Sequence, residues 1–255
     1  MRPESTARFS DRVEAYVRYR PGYPPEVIEC LRVQCGLRPD HVIADIASGT
    51  GALTRLLLEN GNPVFAVEPN QAMRDAGREI LCGFDKITSI AGTAEQTTLP
   101  DASVDFVTAA QAAHWFDLRR AREEFVRILR PAGWCVLIWN ERRTVASPFL
   151  RDYEQLLLTY ATDYKEVRHE RTTETIDKFF APARSRESDF ELRQQFGFEG
   201  AAGRLLSSSY VPLAGHPGHE PMMRELRRIF EAHARLGVVE FEYATRVFYA
   251  KLSAT

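Results

Sequence analysis

The stretch Asp45-Ile46-Ala47-Ser48-Gly49-Thr50-Gly51-Ala52-Leu53-Thr54 joins a short apolar run to a segment with helical periodicity. The apolar run predicts a buried strand, and the segment after the loop predicts a helix. Gly49 and Gly51 allow positive φ and a close approach of a ligand to the main chain. Because ligands of open α/β sheets bind beyond the carboxyl ends of the strands, this turn predicts a ligand site.

The same alternation extends on both sides of this turn, from residue 42 to residue 139. Short β-branched runs alternate there with helical segments, which is typical of a parallel sheet covered by helices on both faces. We predict an α/β fold with a doubly wound, mostly parallel, Rossmann-like sheet of seven strands, the last antiparallel. The predicted strands are residues 42–47, 64–68, 87–91, 104–110, 134–140, 205–213 and 238–252.

The remaining segments divide the chain into parts of one predicted domain, residues 1–255. Residues 1–36 read as N-terminal lid helices and 37–140 as the ligand-binding core. Residues 141–204 are polar and helical in tendency, which predicts a helical substrate cap, and 205–255 complete the sheet. Apolar spacing predicts a helix before the last strand, with one face formed by Met222, Leu226, Ile229 and His233.

Composition excludes several classes of function. The 33 Lys and Arg nearly balance the 35 Asp and Glu, giving a net charge of -2, so nucleic acid is not an expected partner. No segment predicts a signal peptide or a membrane span. The four cysteines show no CxxC spacing, which favours a reducing cytoplasm and neither a zinc site nor disulfides. His216 and His219 flank a Pro-Gly turn without a third ligand nearby, so no metal is predicted.

An acidic residue ends the second predicted strand. Glu68 in Val67-Glu68-Pro69-Asn70 follows the glycine loop by roughly 20 residues, the spacing at which an acid accepts hydrogen bonds from ribose hydroxyls. Dinucleotide-binding proteins share this spacing but need a third glycine, and Thr54 occupies that position. A nicotinamide-dependent dehydrogenase is therefore a weaker interpretation.

Several motifs occur in a familiar order. Asp45 to Gly51, Val67 to Asn70, Gly92-Thr93-Ala94-Glu95, Gln111 to Phe116 and Leu129 to Gly133 together resemble the class I S-adenosylmethionine-dependent methyltransferases of the branch that acts on small molecules. The resemblance covers residues 9–140. It implies S-adenosylmethionine as cofactor and methyl transfer to a small organic acceptor, a carboxylate or a hydroxyl.

The resemblance also implies cofactor-binding roles for individual residues. The glycine loop would wrap the methionine part, with Asp45 favouring its ammonium group. Glu68 would bind the ribose, Met73 would contact the adenine, and the main chain at Ala94 would read the base edge. The full implied set is Asp45, Ala47, Ser48, Gly49, Gly51, Glu68, Pro69, Met73, Thr93, Ala94, Glu95 and Gln111.

The acceptor side is predicted from aromatic and basic residues. His114 follows the fourth strand, where it is a candidate general base for a hydroxyl acceptor, and Trp115 would form an aromatic wall. Tyr16, Arg20 and Tyr23 resemble the lead-in of trans-aconitate and related carboxyl methyltransferases, which implies a lid with Arg20 pairing a carboxylate. Packing alone is an equally good explanation of these aromatic residues: Trp115 would be a core residue, and the tyrosines of the lead-in would pack a helix end.

Two positions depart from the family pattern. Alanine stands at 47, where the family usually has glycine, and it fits the loop if its φ is negative. Threonine stands at 93, where the family commonly has aspartate. These departures leave open a catalytically weak, methyltransferase-like module that binds the cofactor or regulates without turnover. The acceptor's identity and the oligomeric state are not legible from the sequence.

Overall fold

A seven-stranded sheet forms the centre of the computed structural model, which describes residues 13–162, 164 and 172–252. The strand order is β3-β2-β1-β4-β5-β7-β6. Strands β1 to β5 run parallel, and β7 is antiparallel to both β5 and β6. The predicted fold class is therefore confirmed. The strands are β1 Ile43–Ile46, β2 Val64–Val67, β3 Ile87–Ile90, β4 Val104–Ala110, β5 Leu129–Arg142, β6 Arg186–Phe196 and β7 Val239–Lys251.

Helices connect these strands and cover both faces of the sheet. Local sequence explains several of their starts: Asn70 caps α4, Asp117 caps α5 and Ser147 caps α6, each accepting from a main-chain N–H in the first turn. A short 3₁₀ helix, Ala113–Trp115, precedes α5. The α-helices are α1 Val13–Tyr19, α2 Glu26–Cys35, α3 Ala52–Glu59, α4 Gln71–Ile80, α5 Leu118–Ile128, α6 Pro148–Tyr160, α7 Thr172–Phe180, α8 Phe198–Leu206 and α9 His219–His233.

Two apolar layers enclose the sheet because successive strand residues point to opposite faces. On one face, Ala44 and Ile46 pack in a layer that contains Phe125 of α5 and Phe179 of α7. On the other face, Ile43 lies in a layer that contains α2 and α3. This arrangement holds the strand ends, and the loops that follow them, in fixed positions.

The segment from 141 to 204 differs from the predicted helical cap, because it also contains the edge strand β6. Strand β6 pairs with β7 along its whole length. Its residues alternate between exposed and half-buried, as expected of an edge strand with one wetted face. Helices α6, α8 and α9 pack together with the first half of β7 in a third apolar cluster, which forms the cap.

The strand predicted at 205–213 is wrong. Leu205 lies in helix α8, where it is buried in the cap cluster together with Ala201. These two residues are four apart and therefore share one helical face. The sixth strand of the sheet is instead β6. The helix predicted before the last strand, and that strand itself, are confirmed as α9 and β7.

Helix α1 connects the cap to the core. It contacts α8 of the cap and α4 of the core. Arg20 and Tyr23 follow it in a turn that leads to α2, over the carboxyl edge of the sheet. No helix in the described part of the chain has the length and apolar character needed to cross a lipid bilayer.

Candidate functional site

The glycine loop after β1 turns sharply at three positions with positive φ. These are Ala47 at 54°, Gly49 at 59° and Gly51 at 88°. The N–H of Gly51 donates to the carbonyl oxygen of Ser48 at 2.9 Å and closes the turn into α3. The condition under which alanine would fit without strain, a negative φ at Ala47, is therefore not met: the main chain adopts there the left-handed conformation that glycine would adopt without strain.

The acid at the end of β2 lies directly against this loop. Glu68 Oε2 accepts from the Gly49 N–H at 3.0 Å, and Oε1 accepts from the Asn70 N–H at 2.8 Å. The side chain is buried. Burial raises the pKa of Glu68, and the two main-chain donors partly offset that shift. The two motifs that the sequence separates by about 20 residues therefore form one surface.

A second carboxylate lies beneath the loop. Asp45 accepts from Thr54 Oγ1 at 2.6 Å and from Thr108 Oγ1 at 2.8 Å. It is 1% exposed, and burial raises its pKa to about 6. Its two hydrogen bonds connect β1 to the first turn of α3 and to β4. Asp45 orders the loop in this structure, and its contact with a cofactor ammonium stays a prediction.

The residues predicted at the adenine end follow β2 and β3. Met73 is buried in the first turn of α4, and its N–H donates to Asn70 Oδ1 at 3.0 Å. Thr93 and Gln96 form an isolated antiparallel bridge around the buried Ala94. Glu95 Oε1 accepts from the Asp117 N–H at 2.9 Å, beside the start of α5. Pro69 lies between Glu68 and Asn70 in the same loop.

A cavity of about 710 Å³ opens beside the glycine loop and extends toward the cap. Thr50 and Gly51 line one side of it. All five predicted acceptor-side residues line it as well, namely Tyr16, Arg20, Tyr23, His114 and Trp115. The structure therefore brings the lid segment, the turn after β4 and the glycine loop together around one space.

Several known proteins are similar in sequence to this chain. Residues 44–137 match a family described as a methyltransferase domain. An uncharacterized methyltransferase of Mycobacterium tuberculosis is 43% identical over 141 residues, which are 55% of each chain. A putative methyltransferase of Dictyostelium discoideum is 29% identical over 201 residues, 78% of this chain and 70% of that one. The chain thus spans little more than half the length of the mycobacterial relative.

The fold comparison extends over most of the chain. A putative type II methyltransferase from Anaeromyxobacter dehalogenans superposes with a TM-score of 0.67, covering 91% of this chain and 98% of that one at 23% identity. Residues 44–137 thus match a methyltransferase domain, and the similar proteins and the fold support a domain of the class I S-adenosylmethionine-dependent type. S-adenosylmethionine is the cofactor of this family of domains.

Gln111 provides a test of whether the candidate site fits a cationic amino-acid group. Its φ is 55°, and its Nε2 donates to the Asn140 carbonyl oxygen at 3.0 Å. Its Oε1 is buried without a hydrogen bond, and the residue lines the cavity with Gly51. A buried acceptor without a donor is costly. The ammonium group of S-adenosylmethionine would supply that donor.

The predicted acceptor side of the cavity is aromatic. The His114 and Trp115 rings lie with their centroids 4.7 Å apart and their planes tilted by 47°, and His114 is the more exposed of the two. Arg20 lies over the Tyr16 ring at 5.2 Å. Burial raises the pKa of Tyr23 well above its ordinary value, so its hydroxyl is a hydrogen-bond donor at neutral pH.

The polar residues of the cavity wall that the sequence did not single out include Arg142, Arg204, Tyr210 and Tyr243. Arg142 is the last residue of β5, just as Glu68 directly follows β2. Its position at the carboxyl edge of the sheet could therefore have identified it as a candidate site residue. The others belong to the cap or to β7 and carry no motif. In the described residues, no group of three or more His, Cys, Asp or Glu side chains is arranged to hold a metal.

Proposed function

We propose that this chain transfers the methyl group of S-adenosylmethionine to a small organic acceptor bound in the 710 Å³ cavity. The observation that carries the proposal is that this one cavity is lined both by the glycine loop and by the lid and His114. A reaction between two bound molecules needs such a shared, partly enclosed space, because alignment supplies much of the rate.

Individual residues have proposed roles toward the cofactor. Glu68 accepts from the ribose hydroxyls with the lone pairs that Gly49 and Asn70 leave free. The main chain from Ala47 to Gly51, with Ser48, follows the methionine part, and Gln111 accepts from its ammonium group. Met73 and Ala94 contact the adenine. Pro69, Thr93 and Glu95 shape the loops that hold them.

The bound cofactor supplies an electrophilic methyl carbon on a positively charged sulfur. The protein's part is to align the acceptor with that carbon and to exclude water. The walls suited to this are the Tyr16, Tyr23 and Trp115 rings. A carboxylate acceptor needs no base, whereas a hydroxyl acceptor must lose a proton, for which His114 is the proposed base.

Arg20 has a proposed role toward the acceptor, as in the carboxyl methyltransferases that the lead-in resembles. Replacing it in Arg20→Ala should raise the Michaelis constant for an acidic acceptor and leave cofactor affinity unchanged. An unchanged Michaelis constant would remove Arg20 from the acceptor site. Likewise, unaltered turnover of a confirmed substrate by His114→Asn would exclude His114 as the base.

The decisive experiment combines cofactor binding with label transfer. The purified chain is first tested for thermal stabilisation by S-adenosylhomocysteine, with NAD as the comparison ligand. It is then incubated with methyl-labelled S-adenosylmethionine and a metabolite extract, and labelled products are separated by mass. Glu68→Gln is the matched inactive variant. Binding without labelled product would favour the alternative, a cofactor-binding or regulatory module. The strained main chain at Ala47 is an observation that supports this alternative.

A cytoplasmic location remains part of the proposal. It rests on the four cysteines, Cys30, Cys35, Cys82 and Cys135, which are free thiols in this structure.

A further inference from the structure

Three arginines from distant parts of the chain converge on the cap side of the cavity. Arg20 follows α1, Arg142 ends β5 and Arg204 lies in α8. The side chain of Arg142 is 7% exposed, and Arg204 is 4% exposed. Buried guanidinium groups require partners, because desolvation of an unpaired charge is costly. The partners of the three groups therefore decide what this wall can bind.

One of the three charges is neutralised within the protein. Arg142 Nη2 donates to Glu154 Oε2 at 2.5 Å and to the Tyr164 hydroxyl at 2.9 Å. The guanidinium also lies over the Tyr153 ring at 4.9 Å. Its Nε remains buried without a hydrogen-bond partner. Arg142 is thus held in place with donor capacity left over.

The other two arginines bond only to neutral groups. Arg204 Nε donates to the Tyr243 hydroxyl at 3.0 Å, and its Nη1 donates to Ser208 Oγ at 3.3 Å. Arg20 Nη2 donates to the Ser207 carbonyl oxygen at 3.0 Å, while its Nε is buried without a partner. Within the described residues, neither arginine forms an ion pair with a carboxylate.

The rest of the cavity wall does not balance this charge. Among its described residues Glu141 is the one acid, and Glu141 pairs with Arg246 at 3.0 Å. Three guanidinium groups with Glu154 as their one acidic partner leave two positive charges uncompensated on the cap side.

The positive charge of the three arginines also shifts the pKa values of groups beside them. Burial and Arg204 lower the pKa of Arg20. Burial alone would raise the pKa of Tyr210, yet the three arginines lower it overall.

Aromatic packing explains where the guanidinium groups lie but not why they are charged and buried. The Tyr16 and Tyr243 rings lie 5.2 Å and 5.9 Å from Arg20 and Arg204. Such contacts orient a cation, but they leave its in-plane N–H groups unpaired. Those N–H groups match the paired oxygens of a carboxylate or a phosphate.

We propose that Arg20, Arg142 and Arg204 form an oxyanion subsite that binds an acidic group of the methyl acceptor. The inference rests on the proposed function, because it takes the cavity to be the acceptor site. The acceptor class is a small molecule with one or two anionic groups, and a dianion would match the two uncompensated charges. The Tyr210 and Tyr243 hydroxyls border the subsite and complete its hydrogen-bonding surface.

The test measures binding of simple anions to the full chain saturated with S-adenosylhomocysteine. Succinate and inorganic diphosphate are titrated by calorimetry at low ionic strength, with succinamide as the uncharged comparison. We expect at least one anion to bind tenfold or more tightly than succinamide, and its affinity to fall as salt is added. Preference for succinate identifies a carboxylate acceptor, and preference for diphosphate identifies a phosphorylated one.

Variants assign the binding to the cluster. Arg204→Met should weaken binding of the preferred anion at least tenfold. The control is Arg130→Met, which removes an arginine paired with Asp105 at the opposite end of the sheet strands. It should change the anion affinity less than twofold. Tyr243→Phe removes one hydrogen bond to Arg204 without removing a charge, and it replaces Arg204→Met if that variant does not fold. For Tyr243→Phe we expect a loss of threefold or more.

Two results would overturn the subsite: equal binding of anions and succinamide, or unchanged anion affinity in Arg204→Met, or in Tyr243→Phe where Arg204→Met does not fold. S-adenosylhomocysteine affinity is measured in parallel and should be unchanged in Arg204→Met. A wild-type chain that binds the anion but not S-adenosylhomocysteine would contradict the proposed function and leave the oxyanion subsite standing, so the two failures are distinguishable.

Discussion

The carboxylate of Glu68 accepts a hydrogen bond from the Gly49 N–H at 3.0 Å, so the acid after β2 and the glycine loop after β1 are one structural unit. Parallel pairing of β1 with β2 brings Ile46 opposite Val67 and places the two loops side by side. A ligand that lies along the glycine loop therefore reaches Glu68 as well. This relationship makes the first prediction specific.

Glu68→Gln should weaken S-adenosylhomocysteine binding by 10- to 100-fold, about 1.4–2.7 kcal/mol. Glutamine keeps a single acceptor oxygen and no charge, so it cannot serve Gly49, Asn70 and the ribose hydroxyls together. Calorimetric titration measures the change. Glu123→Gln, at an exposed acid on α5, is the control and should bind normally. An affinity equal to wild type would show that Glu68 only supports the loop.

The pH dependence of stability should carry a contribution from Asp45. Burial raises its pKa to about 6, above about 3.9 in an unfolded chain. The folded state therefore binds this proton more tightly, and the charged carboxylate reduces stability as the pH rises through 6. Relative to Asp45→Asn, the wild type should gain roughly 1 kcal/mol between pH 8 and pH 5.

Urea denaturation of both proteins at the two pH values measures that difference. Asp85→Asn, at an exposed acid, is the matched control for removal of a carboxylate. A pH-independent difference between the wild type and Asp45→Asn would mean that the two threonine hydroxyls fully compensate for the burial of Asp45.

Ala47→Gly should stabilise the protein by about 1 kcal/mol, because φ is 54° at this position and a Cβ is strained there. Ala232→Gly, at an exposed position in helix α9, should instead destabilise it by roughly 0.5–1 kcal/mol. Chemical denaturation compares the two. Destabilisation by both substitutions would show that the loop tolerates alanine without strain.

Gly203→Ala should detach helix α1 from the cap. A Cβ at Gly203 would overlap the Tyr19 ring, which packs there and contacts Phe196 edge-on at 6.3 Å. In most helices this substitution stabilises. Here we expect faster proteolysis at Arg18 by trypsin and an acceptor KM raised at least threefold. Gly83→Ala, where a Cβ meets nothing, is the control. Unchanged cleavage would show that α1 is not held by this contact.

The glycine loop, Glu68 and the positions of the first five strands along the chain were predictable, because each depends on local pattern. A buried β-branched run, a small-residue turn and an acid at a strand end are adjacent in sequence, and parallel strands bring such ends to one edge. For the same reason α9 and β7 were predictable, with periods of 3.6 and 2 over more than ten residues.

The cap was harder to predict from local pattern. Strand β6 alternates Phe190, Leu192 and Phe196 with charged and polar residues, but its charged composition hides that period. In the sequence, Leu205 resembled the start of a strand. In the structure it packs with Ala201, one helical turn earlier, on the buried face of a helix. Whether such residues form an edge strand or a helix depends on what covers them.

By itself, the sequence determined the α/β fold, the resemblance to class I methyltransferases and the surface formed by Gly49 and Glu68, because these arise from short-range periodicity and from the geometry of neighbouring parallel strands. Only the tertiary structure decided that Arg20, Arg142 and Arg204 face one cavity, since they come from a lead-in turn, a strand end and a cap helix. It likewise decided the positive φ of Ala47. Contacts between residues far apart in the chain follow from the packing of whole elements, which no local pattern records.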